Sequence, residues 1–398
     1  MPTLTDLPTM PFDDPSVLEI SPHYQWLQDE EPISRVRTPA GDAAWLVTRY
    51  DDVKALLGDE RLGRSHPNPQ AAPRYAAGTL AGGPIMDADT EKNDHANVRR
   101  VISRPFAGRR MRGLQPVIES VVRDLVDDLV RLGPPVDLHE RFSLPLPERV
   151  LCELFGLPRE DRQVFSQPVR DALSMHDPDR ALAALGELTV YVQALIERKR
   201  RNPDEHLLSE LIAVADERGD IGDALLTLTV DALLIAGQTT MTGRLDLGVL
   251  LLLQHPDQVR VLLRDPALVP AAAEEALRLT QPPWDLPLRY AKTDLDHRGV
   301  SIRAGELVLL ALASANRDPR VFPDPHRFDL TRSPNPHLAF GHGPASCVGA
   351  ALARIEMQVA IQTLFSRLPT LRLAAPIDQL QARRDVLGGG LVSLPVTW

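Results

Sequence analysis

Cysteine is nearly missing from this chain: Cys152 and Cys347 are the only two in 398 residues. Two thiols do not make a disulfide framework, and no CxxC pair is present to hold zinc. The usage suits a reducing cytoplasm. Positive charge is also short, with 44 Lys and Arg against 54 Asp and Glu and a net charge of −10. Wholesale attraction to nucleic acid or anionic lipid is therefore not expected, while a local basic patch on the acidic body stays open. The first residues, MPTLTDLPTMPFDDPS, lack a basic start and an apolar core, so no signal peptide is expected. A long uncharged apolar run is lacking too. The most apolar segment, residues 225–253, contains Asp231, Arg244 and Asp246. Those charges argue against a membrane span and for a helix of a soluble protein.

What is present is a globular composition, with 43% hydrophobic residues. Helical periodicity runs through residues 50–57, 95–103, 114–132, 149–154, 181–201, 223–254, 270–279 and 348–368. The 223–254 helix would be about 48 Å long, enough to cross a whole domain. Short strands are expected at 44–48, 300–302 and 307–312. Residues 64–84 are rich in Pro, Gly and Ala and read as a long loop, either a lid over a binding site or a surface insertion. No repeat or linker divides the chain. The expectation is one domain over residues 1–398, mainly α with small β-sheets, with an irregular tail over residues 1–15.

The most informative stretch is Phe340-Gly341-His342-Gly343-Pro344-Ala345-Ser346-Cys347-Val348-Gly349. It is a Gly- and Pro-rich loop that runs into a helical pattern, so Cys347 is expected at a helix N-terminus. Unpaired N–H groups and the helix dipole favour an anion there, which lowers a thiol pKa. The glycines allow a flat ligand close to the backbone, and Phe340 is placed to shield the sulfur. A lone intracellular cysteine is more commonly core packing. Cys152, in Val150-Leu151-Cys152-Glu153-Leu154, reads that way. The FGxGxxxCxG pattern separates Cys347 from it.

With this loop the sequence resembles the cytochrome P-450 superfamily in its soluble bacterial form, from about residue 45 to residue 392. The resemblance implies the P-450 fold, a long central helix over a haem held by the cysteine loop. It implies haem b with Cys347 as axial thiolate, and Phe340, Gly341 and Gly349 as parts of the haem loop. Glu275-Ala276-Leu277-Arg278 is an ExxR whose spacing puts both charges on one helix face. In the family this pair is buried with an arginine of the later meander, a position that Arg327 fits. His95 and Arg99, four apart, and Arg289 resemble propionate partners. Ala345 stands where the family often has His or Arg, so either those three suffice or a neighbour compensates.

The long helix carries Ala236-Gly237-Gln238-Thr239-Thr240-Met241. The resemblance places this segment above the iron, with Gly237 leaving room for dioxygen and Thr240 bonding it or a water. Thr239 occupies the place of the usual acid. Gln238 is a candidate for ordering a solvent chain in its stead, and the alternative for Thr240 is a bond back to its own helix. Leu233, Ala236, Trp284, Leu286 and Leu391 are the expected pocket residues, which suits an apolar or aromatic substrate.

The implied activity is oxidation of a small natural-product intermediate, by hydroxylation or oxidative coupling. Dioxygen would be the oxidant, and NAD(P)H-derived electrons would come through a ferredoxin and its reductase. Arg100, Arg109, Arg110 and Arg112 form a basic cluster that either steers such an acidic partner or is a solvated helix end. A cytoplasmic monomer without nucleic-acid or membrane partners is expected. Nitric oxide reduction, non-catalytic haem sensing and a hydrolase using Cys347 with His342 are the alternatives.

Overall fold

The computed structural model describes residues 7–77, 82–219, 221–386 and 388–398. Residues 1–6 of the expected tail and 78–81 of the expected loop lie outside them. The architecture is the expected one, helices around one long central helix with small sheets at one side.

The central helix spans Asp223–Leu253. Its charges are pinned to other elements rather than solvated. Asp231 accepts from Thr189 at 2.8 Å, and Asp246 accepts from His139 at 2.8 Å and from the Leu391 N–H at 3.1 Å. Buried charges need such partners. By length and composition this helix would pass for a membrane span, but it is the core helix of the fold. Burial holds the His139 imidazolium down, yet the Asp246 hydrogen bond and charge outweigh it and the net shift is upward.

The first eight strands are β1 (Ile33–Arg37), β2 (Ala43–Val47), β3 (Leu62–Gly63), β4 (Val136–Asp137), β5 (Leu288–Ala291), β6 (Leu295–His297), β7 (Val300–Ile302) and β8 (Leu307–Leu310), and the main sheet takes the order β1-β2-β8-β5-β3. β3 and β5 run antiparallel in the register Gly63 opposite Tyr290. That register sets Arg64 beside Arg289, a neighbourhood with no trace in local sequence. A Cβ at Gly63 would meet the Glu91 carboxylate, which would have to shift to admit it. Glu91 starts the Glu91–Ser103 helix and accepts from the Arg64 N–H and the Ser65 hydroxyl, both at 2.6 Å.

Most predicted helices are present with small boundary changes. The last differs in a way that matters: it spans Ala350–Arg367, leaving Cys347 three residues outside it. Periodicity missed the Arg162–Asp171 helix, which contains Pro168. It also missed Pro22–Glu30, capped by the Ser21 hydroxyl.

The Val269–Leu279 helix carries the ExxR pair, both side chains fully buried. Arg278 grips Glu275 with two bonds of 2.8 and 2.7 Å. Its remaining donors reach the carbonyls of Asn316 at 2.8 Å, Pro325 at 2.6 Å and Arg327 at 3.2 Å. The third partner of Glu275 is not Arg327. Arg332 donates its Nε to Glu275 at 3.0 Å, whereas the Arg327 side chain is exposed. The meander turns Arg327 outward and offers only its carbonyl, which also accepts from Arg332 at 3.2 Å.

This assignment predicts opposite outcomes for two arginines. Arg332→Ala should lower unfolding stability by about 2 kcal/mol, because it strips a charge-assisted bond from a buried carboxylate. Arg327→Ala should cost less than about 0.5 kcal/mol. Urea unfolding midpoints at equal m-value compare the two, and an equal loss for both would contradict the assignment.

Candidate haem and active site

The cysteine loop is held from two directions. The Cys347 N–H donates to the Phe340 carbonyl at 2.8 Å, and the Gly341 N–H to Leu338 at 2.8 Å. Gly341 and Gly343 take φ values of 69° and 74°, left-handed conformations that glycine adopts without strain. From the ExxR helix, Glu274 accepts two bonds from Arg354, at 2.7 and 3.0 Å, and one from His337 at 3.1 Å. Burial pushes the Glu274 carboxyl up, but those bonds prevail and hold it at about 2. Arg354 lies over the Phe340 ring, 4.4 Å from its centre. Phe340 is thereby fixed beside the loop, where the pattern had placed it.

Cys347, Phe340, Gly341 and Ala345 line a cavity of about 410 Å³ beneath Thr240 of the central helix. Cys347 is accessible and lines this cavity. Burial pushes the thiol above its ordinary value, and the Gly349 N–H, Arg99 and Arg354 only partly offset this. The expectation of a thiol acidified by a helix end is corrected: the helix begins too late. Cys152 is buried, and burial pushes its thiol up to about 12, as core packing requires.

Positive charge gathers on one side of the cavity. Arg64 and Arg289 line it together with Ala345, and the same residues border a second space of about 350 Å³ that also meets His95. Burial lowers His95, and the charges of Arg64, Arg99 and Arg289 lower it further. Burial likewise lowers Arg289 to about 10, with Arg64 adding to the effect. Buried guanidinium groups this close together call for an anionic partner. Arg99 serves the loop itself, donating to the Pro344 carbonyl at 2.9 Å and the Ser346 carbonyl at 2.7 Å. Arg64 was not singled out from sequence. It lines the same spaces as Ala345, and only the β3–β5 register brings it there.

The donor set therefore fits haem: a soft sulfur on the cavity wall, a flat approach at glycine, and three guanidinium groups with an imidazole for two propionates.

On the opposite wall, the helical repeat separates the AGQTTM residues. Gln238 is two positions from Thr240, about 200° around the helix. It points away from the cavity and donates to Glu148 at 3.0 Å, fully buried. Gly237 faces Leu151, and a Cβ there would lie 3.0 Å from that side chain. Its smallness serves helix packing. Thr239 is buried and its hydroxyl has no partner among the described residues. Backbone of Gly388 packs against Thr239 and Thr240. Thr240 alone of these candidates lines the cavity, with its hydroxyl donating to the Ala236 carbonyl at 2.7 Å.

The expected pocket divides as well. Leu286 lines the cavity. Trp284 is core, with Arg384 stacked 5.2 Å from its ring centre, and Leu391 is fully buried behind Asp246. Leu233 packs half-buried against the main core, and Ala236 is exposed one helical turn before Thr240. Two polar residues were missed altogether: Arg244 and Asp285 both line the cavity.

A model of the cytochrome P450 family matches residues 262–372. Pentalenolactone synthase of Streptomyces exfoliatus is 41% identical over 99% of this chain and 100% of its own. Nocardicin C N-oxygenase of Nocardia uniformis subsp. tsuyamanensis is 39% identical over 100% of both. The solved structure of a pimaricin epoxidase superposes with a TM-score of 0.89, at 39% identity over 99% of this chain and 100% of that one. With such similarity along its whole length, the chain belongs to the cytochrome P450 family, whose members bind haem b through a cysteine thiolate.

Proposed function

We propose that this cytochrome P450 is a monooxygenase that inserts oxygen into a natural-product intermediate. The observation that carries the reading is the cavity shared by Cys347 and Thr240 between the cysteine loop and the central helix. Haem with an axial thiolate supplies the electron density that favours O–O cleavage. Cys347 is assigned the axial position, and Arg64, His95, Arg99 and Arg289 the propionates. Oxygen insertion is preferred to coupling because the relatives include, by name, an N-oxygenase and a mycinamicin IV hydroxylase/epoxidase.

Thr240 is assigned the handling of protons. Its hydroxyl hydrogen rests on the Ala236 carbonyl, which leaves an acceptor lone pair for a water in the cavity. A threonine does not ionise at neutral pH, so protons pass through that water rather than originate on the side chain. Neither Thr239 nor Gln238 reaches the cavity to help. For electrons, a ferredoxin with its reductase is the proposed source. Arg109 and Arg112 are exposed on the Gly108–Gly113 helix, which packs against the Ala350–Arg367 helix that follows Cys347. An acidic ferredoxin suits that face, whereas Arg110 is already paired with Glu210.

Two measurements test this reading. With a surrogate ferredoxin system, NADPH and isotopically heavy dioxygen, a product should carry one heavy oxygen atom. Thr240→Ala should then divert most NADPH to hydrogen peroxide. Unlabelled or dimeric product, or unchanged peroxide yield, contradicts the assignment. Separately, Arg64→Ala should speed haem transfer from the ferric protein to apomyoglobin by about tenfold, as loss of a charge-assisted bond implies. Adding Ala345→His should restore slow transfer, and an unchanged rate in Arg64→Ala would remove Arg64 from the clamp.

A further inference from the structure

Resting on the monooxygenase reading, we propose that Asp285 is a specificity-determining residue that binds a protonated amine on the substrate. The cavity that holds Cys347 and Thr240 has apolar walls, with Ile85, Met241, Leu286 and Leu312 among them. Into it project a carboxylate and a guanidinium, Asp285 and Arg244. Arg244 lies one helical turn after Thr240, on the same face of the central helix.

The two charges are imperfectly matched. Arg244 spends donors on the Thr280 carbonyl and on Gln281 Oε1, at 2.7 Å for the latter. Its remaining contact with Asp285 Oδ2 is long, at 3.4 Å. Gln281 Nε2 donates to the same oxygen at 3.0 Å and to the Asp285 carbonyl at 3.2 Å. All of this holds Oδ2. Oδ1 makes no hydrogen bond among the described residues, and the side chain keeps 20% of its surface accessible. Asp285 is thus anchored through one oxygen and presents the other to the cavity.

A substrate that fills the cavity displaces water from Oδ1. An apolar group there would leave a buried acceptor unpaired, a penalty paid in full by the complex. A donor from the substrate removes that penalty, and a cationic donor also complements the carboxylate charge. Sites with buried polar groups discriminate most strongly against ligands that cannot pair them. Arg244 and Gln281 act as positioning residues, since they hold the carboxylate rather than the ligand. The expected apolar or aromatic substrate would then also carry a basic nitrogen.

The test uses the haem-loaded protein and two probes of one shape. N,N-dimethyl-1-adamantylamine is protonated at neutral pH and too hindered to ligate iron, and 1-isopropyladamantane is its neutral counterpart. The low-to-high-spin Soret shift gives a Kd for each. The wild type should bind the amine at least about tenfold more tightly. Asp285→Asn should bring the ratio to about one while hydrocarbon binding persists. No preference in the wild type, no amine binding at millimolar concentration, or a preference that survives Asp285→Asn overturns the proposal. The wild-type ratio stands by itself should the variant fold poorly. The reduced carbonmonoxy spectrum, recorded on the same samples, separates the readings. A normal haem–thiolate spectrum without amine preference sinks only the role of Asp285, and absence of that spectrum sinks the monooxygenase reading.

Discussion

One buried carboxylate organises the proximal half of this molecule. Glu275 is fully buried and accepts from Arg278, Arg332, the Asn335 amide and the Asp329 N–H. Such a charge is tolerable only when its partners are complete, because desolvation costs several kcal/mol. Arg278 extends the network to three carbonyls of the meander, and the Asn316 side chain accepts from the Leu338 N–H at 2.6 Å. Glu274, the adjacent carboxylate, reaches His337 and Arg354 on either side of the cysteine loop. Two neighbouring acids on one helix therefore set both ends of the segment that positions Cys347. Loss of either should be felt as misplacement of the sulfur.

The electrostatics of the site point the same way. Burial lowers Arg64, His95 and Arg289, the neighbouring charges of Arg64 and Arg99 add to it, and Glu91 is a partial counterweight. Cys347 is likewise pushed away from its charged form by burial. A ligand that brings anions to Arg64 and Arg289 and a metal to the sulfur would favour the charged form of each.

Much of this was legible in sequence where a local pattern carries it. The FGxGxxxCxG loop, the ExxR spacing and the central helix are contiguous, and the structure has each of them. What depends on strand register or helix phase was not. Arg64 reaches Arg289 only through the β3–β5 pairing. Arg332 and Arg327 sit in the same irregular meander, where no periodicity says which side chain turns inward. Gln238 lies two residues from Thr240 on the opposite helix face and bonds Glu148. Asp285 and Arg244 are 41 residues apart, so their shared cavity wall is a tertiary fact. Trp284 and Leu391 were expected in the pocket from the family resemblance and are core by packing.

The central claim is that Cys347 provides the sulfur ligand of a haem on the cavity wall beneath Thr240. The most direct measurement is the reduced carbonmonoxy difference spectrum of the wild type beside Cys347→Ala. The wild type should show the far-red-shifted Soret band of a haem–thiolate, and the variant should lack it, whether or not haem is retained. A variant that keeps the shifted band would contradict the account, as would a wild type that never shows it.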